Sequence, residues 1–166
     1  IGKRYVHYFD TVIITPEQIE AGGEFIASIV KEIKKRTPYQ AKNNAYLITG
    51  DATGRAGNVQ SRVGSTAWTQ VMDAFGVQIE QIAVPTINPT HIDSRVICNS
   101  FISNFDEVFI APHLRELIYD CEWVKATPEG DKKKENRTDL SQRADLLDAL
   151  TYDICTFNGD WINTHR

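Results

Sequence analysis

Short apolar runs rich in β-branched and aromatic residues alternate with longer stretches of helical spacing through the first half of this chain, an order that few architectures satisfy. Residues 5–14, from Tyr5 through Asp10 to Ile14, read as a strand that bends near Asp10. Thr15-Pro16-Glu17-Gln18 then offers an N-cap, a proline suited to the first helical turn and a capping-box glutamine. Ile19, Phe25, Ile26, Ile29, Val30 and Ile33 make the helical stripe, with Gly22-Gly23 delaying its start. Residues 46–49 read as a buried strand, 65–75 as a helix ended by Gly76, and 77–84 as a strand stopped by Pro85. Strand, helix, strand, helix, strand implies helices covering a largely parallel sheet.

The second half continues in kind. A helix is expected around residues 96–102, a short strand at 107–110, and a helix over 112–124 with Leu114, Leu117, Ile118 and Cys121 turned inward. A polar stretch, 127–143, carries Lys132-Lys133-Lys134 and leads into a last helix over 143–157. The fold class is therefore α/β, and 166 residues with an apolar fraction of 42% suit one domain spanning 1–166. Eighteen basic against 22 acidic residues give a net charge of −4, which argues against holding nucleic acid by bulk charge alone; any such binding must come from a local patch or from a partner. Cys98, Cys121 and Cys155 lack metal-ligand spacing and read as buried thiols of a reducing compartment. No run of about 18 apolar residues suggests a membrane span. Gly2-Lys3-Arg4 resembles a hairpin tip that expects a further strand before it.

Two acidic stretches invite chemistry. In Gly50-Asp51-Ala52-Thr53-Gly54-Arg55 the acid stands at a strand's carboxyl end, where ligands bind in open α/β sheets; the plainer role is a turn-former bonding its own backbone. On the last helix Asp145, Asp148 and Tyr152 share a face because residues three and four apart are neighbours, and Ala144, Leu146, Leu147, Ala149 and Leu150 flank them. Burying like charges one turn apart is costly unless a cation meets them, which a divalent metal would do. The alternative is a wet helix face whose acids complement the helix dipole. Arg55 is within reach of a phosphate at the first acid, and Lys132, Lys133 and Lys134 are the local basic patch, against the plainer reading of a solvated loop. Asp10 is a further candidate acid and His91 and Asp93 are candidate ligands, the plainer roles being an edge strand or turn for Asp10, the surface for His91 and a helix cap for Asp93.

With these pieces in order, the chain resembles the nuclease domain of the large terminase subunit of tailed bacteriophages, in the RNase H-like superfamily. Gly50-Asp51-Ala52-Thr53-Gly54 is similar to that family's strand-end GDASG motif, and Arg95-Val96-Ile97-Cys98-Asn99 to its R…N helix. Ile110-Ala111-Pro112 through Asp120 resembles its DP…L…D segment, and Asp145-Leu146-Leu147-Asp148-Ala149-Leu150-Thr151-Tyr152 its closing HxxDAxxY helix. The resemblance runs from about Gly2 to Asp153. It implies an RNase H-like mixed central sheet flanked by helices, lacking its first strands here, with the ATPase motor not included, since no Gly-Lys-Ser/Thr loop occurs.

The resemblance further implies two-metal hydrolysis of concatemeric double-stranded DNA with Mg²⁺ or Mn²⁺. Asp51 would lie toward both ions, with Asp145 and Asp148 on the second. Asp145 stands where the family often has histidine. The family's first catalytic acid lies on a strand before Gly2-Lys3, so weak metal binding and poor cleavage are expected of this chain alone, and exposed sheet edges predict a strand-mediated dimer. Implied partners are the ATPase domain of the full-length protein, the portal and the small terminase subunit, in the cytoplasm of a bacterial host. A junction resolvase or transposase, or a non-catalytic docking module, is the alternative.

Overall fold

The computed structural model describes residues 3–19, 24–36, 46–56, 65–134, 136, 138–139 and 142–164. They are mixed α/β, with five α-helices and a two-stranded parallel sheet, and the chain divides into two compact units. Residues 1–11 and 88–166 form one; residues 12–87 form the other. Gly2 of the expected hairpin tip and Gly22-Gly23 of the expected helix start lie outside the described residues.

In the first unit, β1 (Tyr5–Tyr8) and β2 (Glu107–Ile110) pair in parallel, Tyr5 opposite Glu107 and Tyr8 opposite Ile110. The period-2 alternation of a strand decides what each residue meets. Val6 and Val108 pack against a core of Ile97, Phe101, Ile154 and Ile162, and Tyr8 and Ile110 against Ala111, Leu114 and Leu117. Tyr5 and Phe109 stay on the exposed face. Three helices supply the covering layer: α3 (His91–Asn104), α4 (Arg115–Trp123) and α5 (Asp145–Thr164). Burying each such aliphatic or aromatic side chain contributes about 1.5–3 kcal/mol. Phe105 closes one end, its ring 5.4 Å from Trp161 in an edge-on arrangement, and Arg4 lays its guanidinium 3.8 Å above the Trp161 ring.

The sequence placed the start of α3 too late. Thr90 is the cap: its hydroxyl oxygen accepts from the Asp93 N–H at 3.1 Å and donates to the Asp93 carboxylate at 2.7 Å, so the helix begins at His91. The first expected strand is also shorter than read, ending at Tyr8 rather than bending on to Ile14.

The second unit packs α1 (Phe25–Lys35) against α2 (Ala67–Phe75), with Lys34 donating to the Ala74 carbonyl at 2.7 Å. Thr66 caps α2 and Gly76 ends it in the left-handed region. Here the strand expectations shrink to a single parallel bridge between Ile48 and Ile82. The cause is local. Gln78 and Gln81 form a capping box around the 3₁₀ turn Ile79–Gln81, which uses the backbone groups a longer ladder would need.

The second unit also explains why its acidic turn is bracketed by glycines. The Trp68 indole lies across it, donating from Nε1 to the Asp51 carbonyl at 3.1 Å. A Cβ at Gly54 would stand 2.7 Å from Trp68 Nε1, and one at Gly50 would stand 2.9 Å from the far edge of the same ring. Only glycine permits that approach.

Candidate functional site

The acid at the centre of the first unit is Asp148, one turn into α5, and its surroundings are built from the loop that precedes the helix. Gly130, at φ 92°, turns residues 126–132 back on themselves, and Ala126 and Lys132 pair as an antiparallel bridge. Lys133 donates its backbone N–H to the Lys125 carbonyl at 2.8 Å. Extended chain places alternate residues on one side. Lys132 and Lys134 accordingly both meet Asp148: Lys132 Nζ donates to Oδ1 at 2.7 Å and Lys134 Nζ to Oδ2. Lys132 also donates to Thr151 Oγ1 at 3.3 Å, and the Thr151 hydroxyl donates to the Leu147 carbonyl at 2.6 Å.

The Asp148 side chain is only 20% exposed. Burial by itself would raise its carboxyl, but hydrogen bonds from Lys132 and Lys134, together with their charges, outweigh burial and hold it below the usual carboxylate range. Asp148 is therefore an ionised acid sharing a half-buried site with two ammonium groups.

The helix end that carries it is fixed from α4. Asp120, 0% exposed, accepts from the Leu146 N–H at 3.0 Å and the Leu147 N–H at 3.4 Å, and from Arg143 Nη2 at 3.2 Å. A carboxylate there satisfies two otherwise unpaired helix N-terminal donors and complements the dipole. Ala144, fully buried at φ 55°, turns the chain into α5 between the two contacts. Further along the helix, Tyr8 donates its hydroxyl to Asp153 at 3.0 Å. Burial raises the Asp153 carboxyl, with the Tyr8 hydrogen bond opposing, and burial together with Asp153 pushes the Tyr8 phenol up.

Each expected site residue has a definite place. Asp148, Lys132 and Lys134 come together; Asp145, the first residue of α5, is exposed one turn earlier, and Lys133 falls on the other side of its strand-like segment. Asp51 and Arg55 belong to the second unit. Asp51 accepts from the Thr53 N–H at 2.7 Å as the cap of the 3₁₀ turn Ala52–Arg55, and Arg55 donates to the Val84 carbonyl. The cysteines depart from the expectation of buried thiols: Cys98 and Cys155 are half-buried and Cys121 is exposed, on the side of α4 facing a cavity.

A hard oxygen donor that is ionised at neutral pH suits Mg²⁺ or Mn²⁺, and Asp148 has that chemistry. Both of its oxygens already carry an ammonium, so a metal ion at this acid competes with the lysines. Among the described residues no three His, Cys, Asp or Glu side chains gather as a metal-binding group. Among them, too, no helix is long and apolar enough to cross a membrane. Set against known proteins, the chain matches no family model, no curated protein and no solved structure.

Sequence reasoning passed over Asp120 as a site residue, although it closes the segment that begins at Ile110. Its signal was an acid at an otherwise inward helix position, four residues before Val124. Thr151 carried one too, standing three residues after Asp148.

Proposed function

We propose that this chain is a metal-dependent endonuclease domain of the terminase large-subunit type, with an RNase H-like fold, that hydrolyses phosphodiester bonds of double-stranded DNA. The observation that carries the reading is the Asp148 cluster: an ionised carboxylate and two lysines held at one place by a helix and the loop before it. Phosphoryl chemistry needs those two kinds of group together, an anionic oxygen for a hard cation and ammonium groups for phosphate oxygens. Asp148 is the metal-binding acid of the first unit, with Asp145 beside it on α5. The same reading gives Asp51, the acid of the glycine-bracketed turn, a metal-binding role. The chemistry supplied by a bound pair of Mg²⁺ or Mn²⁺ ions is activation of water and stabilisation of the leaving 3′ oxygen.

Lys132 and Lys134 neutralise Asp148 until DNA arrives and then turn to the phosphates. Asp120 keeps the first turn of α5 in place, so that Asp148 does not move when its cations leave. Lys133 extends the basic surface of the first unit, and Arg55 has a phosphate-binding role on the second. The partners that follow from the reading are the ATPase domain of a full-length packaging protein, the portal and the small terminase subunit, in the cytoplasm of a bacterial host.

The test is nicking of supercoiled plasmid by the chain in Mn²⁺. Conversion to open circles that is abolished in both Asp51→Ala and Asp148→Ala supports the assignment; nicking that survives both overturns it. A wild-type chain that does not nick belongs instead to the non-catalytic docking reading, in which Lys132 and Lys134 stay on Asp148.

A further inference from the structure

A cavity of about 290 Å³ opens in the first unit between α3, α5 and residues 124–132, beside the Asp148 cluster and separate from its carboxylate. Its floor is apolar, formed by Leu147, Leu150 and Ile154 of α5 with Ile102 of α3. Its rim is cationic and polar: Arg95 and Asn99, one helical turn apart on α3, face Lys125 and Lys132 from the other wall. Asp131 is the acid among the lining residues.

Two features make this rim a site rather than a gap. The Arg95 guanidinium lies over Gly130, where an added Cβ would come within 3.3 Å of it, so the turn and the arginine are fitted to each other. Among the described residues, moreover, no acid pairs with Arg95 or Lys125, whereas Lys132 is already committed to Asp148 and Thr151. Two uncommitted cations over an apolar floor call for an anion with an apolar body. A bare phosphate fills too little of the space, and about 300 Å³ is the lower end of small-molecule sites. A carboxamide such as that of Asn99 matches the donor and acceptor edge of a nucleobase.

We infer that this cavity binds a nucleotide, its base against Leu147, Leu150 and Ile154 near Asn99 and its phosphate on Arg95 and Lys125. A free mononucleotide and an unpaired nucleotide at a strand end present the same chemistry. Cys98 lines the same cavity, and hydrogen bonds with Cys155 and Thr151, with a smaller effect of Lys132, hold its thiol below the usual range against the opposing effect of burial.

Cys98 and Cys121 both line the cavity and provide a readout that needs neither metal nor cleavage. The experiment titrates the full chain, in EDTA, with deoxyadenosine monophosphate, deoxyadenosine, inorganic phosphate and a short single-stranded oligonucleotide. Binding is followed by calorimetry, and iodoacetamide labelling of each cysteine by peptide mass. The nucleotide is expected to bind and to slow labelling of Cys98 severalfold, with phosphate or nucleoside alone about tenfold weaker, a difference of about 1.4 kcal/mol. Arg95→Ala and Lys125→Ala are each expected to weaken it by a similar factor with an unchanged circular dichroism spectrum. Tighter binding of the oligonucleotide assigns the site to strand ends; tighter binding of the monophosphate assigns it to free nucleotides. Absence of nucleotide binding, protection by phosphate as strong as by nucleotide, or wild-type affinity in both variants overturns the inference. Because none of these arms involves hydrolysis, their failure leaves the nuclease reading standing, and a failed plasmid assay leaves this one.

Discussion

The Asp120 carboxylate, fully buried on α4, accepts the backbone N–H of Leu146 at 3.0 Å and so ties one helix to the first turn of the next. Arg143, 3.2 Å away and 23% exposed, shares the same carboxylate. Removing the acid leaves a half-buried guanidinium and two helix N–H groups without their acceptor. Breaking a buried pair from one side costs about 3–5 kcal/mol. Asp120→Ala is expected to destabilise the first unit by about that much, and Asp120→Asn by less because an amide oxygen still accepts one N–H. Urea denaturation followed by circular dichroism measures both; equal midpoints for wild type and Asp120→Ala would sink the clamp.

Two acids on α5 give opposite dependences on pH. Asp148 has its carboxyl lowered in the folded chain, so its contribution is complete above the ordinary carboxylate pKa and is lost as pH falls through the lowered value. Asp153 has its carboxyl raised, mainly by burial, so the folded state holds that proton more tightly and stability falls as pH rises from the ordinary value through the raised one. Carboxyl NMR titration is expected to find the two displaced to opposite sides of the usual range. In Tyr8→Phe the Asp153 value is expected to rise further, because the hydrogen bond that opposes burial is gone. In a Lys132→Met, Lys134→Met double variant Asp148 should cross to the raised side, because burial then acts alone. A downward move in either variant contradicts the stated causes.

Gly54 carries a constraint that has nothing to do with turn flexibility. Any side chain there drives into the Trp68 indole, whose N–H holds the Asp51 carbonyl. Gly54→Ala is expected to cost about 1–3 kcal/mol, the usual range for overpacking, and to shift Trp68 fluorescence as the ring moves. In the second unit the loss should appear as an earlier melting transition. An unchanged emission spectrum with unchanged stability would show that the ring gives way freely.

Which parts of the fold are legible in the amino-acid sequence follows from which forces are local. The helix over α2 with its Gly76 stop, the strand Glu107–Ile110 and the acid helix were legible, because capping, period and turn residues lie within a few positions of one another. The run around Ile48 looked like a strand by composition, yet strand formation depends on a partner, and the capping box at Gln78 and Gln81 leaves it one bridge. Proximity in sequence hints at the grouping of Lys132, Lys134 and Asp148, but the turn at Gly130 is what brings the two lysines onto the acid. Asp120 was hidden more deeply: its partners lie over 20 residues on, and Ala144 enters the left-handed region without the glycine that usually announces it.

The lysines on Asp148 also make a statement about metal affinity. Each ammonium competes for an oxygen that a divalent ion would take, so their removal should strengthen ion binding rather than weaken it. The Lys132→Met, Lys134→Met double variant is expected to bind Mn²⁺ about tenfold more tightly than wild type, a difference of about 1.4 kcal/mol. Paramagnetic broadening of the backbone amides around Asp148 would report it, with Asp148→Asn abolishing the effect in the same background. Weaker binding after removal of both lysines would mean that they support the ion's site instead of occupying it, and the exchange of ammonium for metal at this acid would have to be abandoned.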